Sequence, residues 1–196
     1  EFKTAAASHQ QIAIATRYGV QEIIYGIIVP MFEQYRARCG SGEFNSIHEQ
    51  VFVTLLHNLL GHLRRLYPPP KTEPPIMLSA CGDQTAMLGT LMGSLIALHC
   101  GYDAIFTGLN PRPAELCAAL RQSGAWALYI GMWGSMNGAG DAWLAGLAKH
   151  LPESVQVIAG SVVDDAMLDA AERLLNAEIV RTFEALGGCL DAARCT

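Results

Sequence analysis

The side chains best suited to chemistry in this chain are His48, His57 and His62 in one helical stretch, His99 in another, and Cys81 at the end of an apolar run. An imidazole can ligate a transition metal or carry a proton near neutral pH. His57 follows Gln50 by seven residues, so on a helix the two face the same way. Packed or solvated helix histidines are the commoner outcome. Cys81 could serve as a thiolate ligand or a point of covalent attachment, although a buried structural thiol is commoner. Trp133, in a glycine-rich stretch, has a ring that could stack on a flat ligand or equally fill a core. Asp83, just past the apolar run, reads as a turn or helix cap. Met92, Met132 and Met136 offer thioethers, but methionine usually fills irregular core gaps. No nucleophile, base and acid stand at a workable spacing. Gly160-Ser161 lacks the flanks of a Gly-x-Ser-x-Gly elbow, and no Walker-type phosphate loop is present. A binding role is expected rather than catalysis.

Of the 196 residues, 51% are hydrophobic, enough to bury a sizeable core. The net charge is −5 and the 13 Lys and Arg are scattered. Neutralising phosphates needs clustered cations, so direct nucleic-acid binding by this chain is not expected. The six cysteines include no Cys-x-x-Cys pair and their spacing is irregular, so neither a zinc site nor a disulfide scaffold is expected. Cys189 and Cys195 read as a plain tail. Gly, Ser, His or a charge breaks each apolar run, short of the ~20 residues of a membrane helix. No basic leader with a cleavage site stands out, so a cytoplasmic location and no membrane partner are expected.

Two periodicities divide the chain. Residues 1–67 read as a helical bundle. Gln11 to Tyr35 is helical, with Gly19 and Pro30 marking a joint and a kink or helix start. Cys39-Gly40-Ser41-Gly42 is a turn, and Asn45 or Ser46 caps a long helix. Its apolar face runs Ile47, Val51, Leu55, Leu59, Leu63 and Leu66. Residues 68–75 form a stiff proline-rich linker. From residue 76 to 196 strands and helices alternate. Strands are expected at Ile76–Cys81, Tyr102–Thr107, Trp126–Ile130, Val155–Ala159 and Glu178–Val180, with helices from Gln84, Pro111, Asp141 and Asp164 and a closing helix. That order predicts an α/β fold, a doubly wound parallel sheet of the Rossmann-like kind with right-handed crossovers. Its ligand crevice lies beyond the carboxyl ends of the strands. There the loops Cys81-Gly82-Asp83-Gln84-Thr85, Gly131-Met132-Trp133-Gly134-Ser135 and Ala159-Gly160-Ser161 are expected to leave an opening.

A helical bundle, a linker and a Rossmann-like domain opening strand-Gly-Asp resembles the cobalamin-binding modules of methionine synthase and corrinoid proteins. In plan it is most similar to the light-sensing, cobalamin-dependent MerR-type repressors. The resemblance covers about residues 20 to 175 and rests on pattern more than identity. Against the family's Asp-x-His-x-x-Gly this chain has Asp83-Gln84-Thr85-Ala86-Met87-Leu88, with Gly89 one place late. Gly131-Met132-Trp133 stands for Ser-x-Leu and Ala159-Gly160 for Gly-Gly. On the bundle, Glu49-Gln50 stands where the photoreceptors have Glu-His, and Tyr35 is near the place of their capping Trp.

The resemblance implies a tetrapyrrole held between bundle and sheet. Its implied contacts are Glu49, Gln50 and His57 on one side and Asp83, Gln84, Thr85, Gly131, Trp133, Ala159, Gly160 and Ser161 on the other. Cobalamin is the family's cofactor. Thr85 replaces the histidine that ligates cobalt, so cobalamin would be base-on, five-coordinate or held by another ligand. A related branch in photosynthesis antirepressors binds heme, for which His57 is the best axial ligand here, and a bilin needs no metal ligand. In the family's binding mode the nucleotide tail enters a groove between the first strand and helix, and Met87 and Leu88 would narrow its mouth. The implied function is a sensory or regulatory domain that passes a light or redox signal to a regulatory protein partner or a fused output domain. A corrinoid methyl carrier and a cofactor-free protein interaction module are the alternatives, and a homo-oligomer is left open.

Overall fold

The computed structural model describes residues 20–66, 74–133, 139–161 and 165–194. The chain forms two compact units, Glu1–Pro68 and Pro69–Thr196. Residues 1–19, most of the linker and Met136 lie outside the described residues.

In the first unit α1, Val20–Ile23, runs through a π-helical turn, Ile24–Ile28, into α2, Val29–Gly40. The helix therefore neither starts nor stops at Pro30. Proline has no N–H and its ring crowds the carbonyl one turn back. The wider turn, closed by the Val29 N–H donating to Ile24 O, sits directly before it. Helix α3 spans Ser46–Leu66. Asn45 is its cap: the carboxamide oxygen accepts from the N–H groups of Ile47 and His48, each at 3.1 Å. The buried stripe of α3 is Val53, Leu56, Leu59, Leu60 and Leu63. The expected row from Ile47 through Val51 and Leu55 is a correction. Ile47 is 62% exposed, and Val51 and Leu55 are half-buried. Steps of four overshoot the 3.6-residue turn by about 40°, so such a row winds off the core. Tyr35 is buried and stacks on Phe52, with ring centroids 4.2 Å apart, which makes it a core ring of this unit.

The second unit is a five-stranded, all-parallel sheet in the order β2-β1-β3-β4-β5. Its elements are β1 Ile76–Gly82, α4 Gln84–His99, β2 Ala104–Leu109, α5 Pro113–Ser123, β3 Ala127–Trp133, α6 Ala139–Ala148, β4 Gln156–Gly160, α7 Asp165–Leu175, β5 Glu178–Val180 and α8 Phe183–Arg194. β1 is buried almost throughout, as its unbroken apolar run predicts for a strand covered on both faces. Helices α5, α6 and α7 pack on one face through Leu116, Leu120, Trp143, Leu144, Met167 and Leu168. Helices α4 and α8 take the other. There the Tyr102 hydroxyl donates to Leu190 O, and the Tyr129 ring lies close to both Gly93 on α4 and Leu186 on α8.

Strand boundaries correct the sequence reading. β2 begins two residues late, because the Tyr102 N–H donates to Ala97 O and closes the turn from α4. β3 and β4 also run further than expected. Gly131, Met132 and Trp133 are strand residues paired with Ala80, Cys81 and Gly82, and Ala159 and Gly160 are strand residues paired with Ile179 and Val180. These residues belong to the hydrogen-bonded sheet, not to loops. Among the described residues no helix is long and apolar enough to cross a membrane.

Candidate functional site

The sheet order reverses direction at β1, so the switch point lies between β1 and β3, and a ligand crevice is expected beyond their carboxyl ends. At that edge Gly82 pairs with Trp133 and adopts φ 142°, a region open chiefly to glycine. Asp83 follows as the cap of α4: its carboxylate accepts from the Ala86 N–H at 3.2 Å and its carbonyl from the Met87 N–H at 3.2 Å. Capping, one of the readings of Asp83 from sequence, is its observed role. Gln84 is exposed in the first turn. Thr85 follows it, and the side chains of Glu49, Thr85 and Trp133 lie outside the described set.

Sequence reasoning missed Asn110. Its carboxamide oxygen accepts from the Gly82 N–H at 2.9 Å, its amide donates to Gly82 O at 2.8 Å, and its own N–H donates to Ala80 O at 2.8 Å. With φ 49°, Asn110 staples the end of β2 to the end of β1 and fixes the loop that opens the edge. The available signal was an Asn directly before a Pro after an apolar run, a pattern typical of turns.

The other expected contacts are distributed as follows. Ala159 packs into the core beneath α5–α7, and Ser161 is buried just past β4. Gly131 lies so close to α4 that an added Cβ would collide with the Thr90 hydroxyl. A Cβ on Gly160 would stand 2.5 Å from the Tyr129 hydroxyl oxygen. Both glycines are thus required by packing within the sheet unit. Gln50 and His57 are exposed on α3 in the helical unit, and the Gln50 carbonyl accepts from the Thr54 hydroxyl. Cys81 is buried, and desolvation pushes its thiol up to about 12, which holds the free thiol protonated at neutral pH. Among the described residues no group of three His, Cys, Asp or Glu is arranged to hold a metal ion.

The sequence matches no protein-family model and no curated protein. Solved structures match it over nearly the whole chain. A monomethylamine corrinoid protein from Methanosarcina barkeri superimposes with a TM-score of 0.68 at 11% identity, covering 92% of this chain and 87% of that one. The fold is that of the cobalamin-binding, Rossmann-like proteins. A cobalamin-binding protein from Desulfitobacterium hafniense DCB-2 matches with a TM-score of 0.51 at 11% identity, covering 100% of this chain and 98% of that one. The methanol:cobalamin methyltransferase complex from Methanosarcina barkeri matches with a TM-score of 0.51 at 10% identity, covering 90% of this chain and 68% of that one. None of these neighbours is described as a photoreceptor or a heme protein.

The cobalamin-binding fold allows a test of fit against this chain's residues. A tail-in, histidine-on corrinoid needs a ring nitrogen at position 85 and a groove between β1, β3 and α4. Position 85 is a threonine. The groove is occupied: Leu78, Ala80, Ala86, Leu88 and Thr90 are fully buried, and α4 touches the backbone of β3 at Gly131. Thr90 spends its hydroxyl on Ala86 O at 2.7 Å, and Tyr129 fills the space below Gly160. These residues do not fit that mode of binding. At this edge the backbone polar groups of Gly82 are held by the Asn110 carboxamide.

Proposed function

We propose that the chain is a holding domain, not a catalyst: it keeps a corrinoid at the carboxyl edge of its sheet, with the nucleotide tail outside the fold, for a partner protein. The observation that carries this reading is the likeness to a corrinoid protein across 92% of this chain, joined to a switch-point edge at which Gly82 holds a positive φ. A neighbouring fold within a methyltransferase complex supports a partner of the methyltransferase kind. The chain's own contribution is to position the ring: Asn110 sets the Gly82 loop, and Asp83 anchors that loop to α4. A light- or redox-sensing role for the same bound ring remains within this reading, since a ligand held at one edge can bias the chain between states that bind it differently. Heme and bilin gain no support from the neighbouring structures, whose names are of corrinoid and cobalamin proteins.

The test is to incubate the full chain with hydroxocobalamin, hemin and biliverdin separately and pass each through gel filtration. The expected result is a protein peak coloured by cobalamin alone, with base-on absorption. A colourless peak in all three runs would refute it. The filled groove favours one second reading, a protein interaction module that carries no cofactor, and that reading expects the colourless result.

A further inference from the structure

Two glycines converge on one side chain. A Cβ on Gly93 of α4 would lie 3.0 Å from Tyr129 Cε1 and 3.4 Å from Leu186 Cδ2 of α8. A Cβ on Gly160 of β4 would lie 2.5 Å from the Tyr129 hydroxyl oxygen and 2.9 Å from Cε2. Beside them Gly131 gives way to Thr90. Tyr129 itself is 1% exposed, and burial pushes its phenol well above the ordinary tyrosine range. A core tyrosine normally packs against side chains. Here helix and sheet have been stripped to backbone on opposite sides of the ring, so the whole space between β3, β4, α4 and α8 at this level belongs to one phenol.

We infer that Tyr129 is a specificity-determining plug: it occupies the flat slot between sheet and helix that would receive a benzimidazole-type tail, and so restricts this domain to corrinoids whose lower base stays outside the fold or is missing. The restriction on corrinoids rests on the holding role proposed above. The plug itself rests only on the packing. A bicyclic base is larger than the phenol it would have to displace, and the glycines leave no side chain that could swing aside to make room. Removing the ring leaves a flat, largely apolar void, the kind that takes up a small aromatic molecule.

Two arms test it. In the first, the full chain is titrated with hydroxocobalamin and with diaquocobinamide, which lacks the tail. The expected result is affinities equal within about threefold and a base-on spectrum for bound cobalamin. Cobalamin binding more than about tenfold tighter, with a base-off spectrum, would overturn the plug while leaving the holding role standing. In the second arm, phenol is added during thermal melts of wild type, Tyr129→Ala and Tyr129→Gly. Wild type should show no shift, and whichever variant folds by circular dichroism should gain several degrees. A shift of the wild type, or none in a folded variant, would overturn the plug. If neither corrinoid binds, the holding role falls and this second arm alone decides the plug.

Discussion

Beneath α5, α6 and α7 the sheet presents Met77, Cys81, Leu128, Ile130, Met132, Val157 and Ala159, and aliphatic side chains from the helices fill in between them. Beneath α4 and α8 the same strands present Tyr129, Gly131 and Gly160, and the helix answers with Gly93 and Thr90. The first face is a core of many interchangeable contacts. The second is a fit around one ring. Cores of the first kind absorb substitutions by repacking, whereas a glycine facing a ring or a hydroxyl at contact distance has nothing to repack. The difference shows that a glycine at the end of a strand can record either a ligand's approach or a neighbour's, and that its face in the sheet decides which.

The largest effect should come from removing the ring. Tyr129→Ala is expected to cost about 3–5 kcal/mol of unfolding free energy in urea melts, as for other large aromatics. A cost below about 1 kcal/mol would mean the ring is not packed as described. Next, Gly131→Ala and Gly160→Ala should each cost about 1–3 kcal/mol by overpacking. Tyr129→Phe should relieve Gly160→Ala, whose closest clash is with the hydroxyl, and leave Gly131→Ala unrelieved. Equal behaviour in that double-mutant cycle would blur the distinction drawn between the two glycines. On the other face Ala159→Gly should cost less than either.

Smaller effects sharpen the contrast at the edge and in the core. Asn110→Ala removes two side-chain bonds to Gly82 and should cost about 1–2 kcal/mol while leaving the core packing intact. The Ser79 hydroxyl lies between Met77 and Cys81 along β1, fully buried and without a hydrogen-bond partner. Ser79→Ala should therefore be neutral or stabilising by about 1 kcal/mol, and a marked loss of stability would show that the hydroxyl is satisfied. Cys81 gives the pH dependence. Its thiol is raised from 9.0 to about 12 in the folded chain, so the unfolded chain loses its proton first. Its stabilising share is whole below the ordinary thiol range and falls as pH climbs through the folded value. Melting temperatures should thus fall more steeply on the alkaline side for wild type than for Cys81→Ala, and native Cys81 should resist alkylation at neutral pH.

Much of the α/β unit was legible in the chain because a buried parallel strand such as Ile76–Cys81 is apolar without a break, and glycines and prolines mark its ends. The helical unit was legible as helices but not in its facing. The row from Ile47 through Leu55 has the right spacing for a short span, yet only tertiary packing selects Val53, Leu56 and Leu60. The candidate edge was read in outline: Asp83 caps as composition suggests. Gly131 and Gly160 were read as ligand loops because small residues near strand ends look alike whatever touches them. Nothing in the sequence reports that Tyr129 fills the space Gly160 leaves and Thr90 the space Gly131 leaves. Asn110 was missed because a staple between two strand ends depends on parallel pairing, which no local pattern encodes.

The most direct measurement is the electron paramagnetic resonance of cob(II)alamin bound to the uniformly nitrogen-15-labelled chain. A corrinoid held with its own base attached and no protein ligand below cobalt gives the triplet splitting of its natural nitrogen-14 base. A doublet from nitrogen-15 would show that an imidazole of this chain ligates the metal, and would contradict the account.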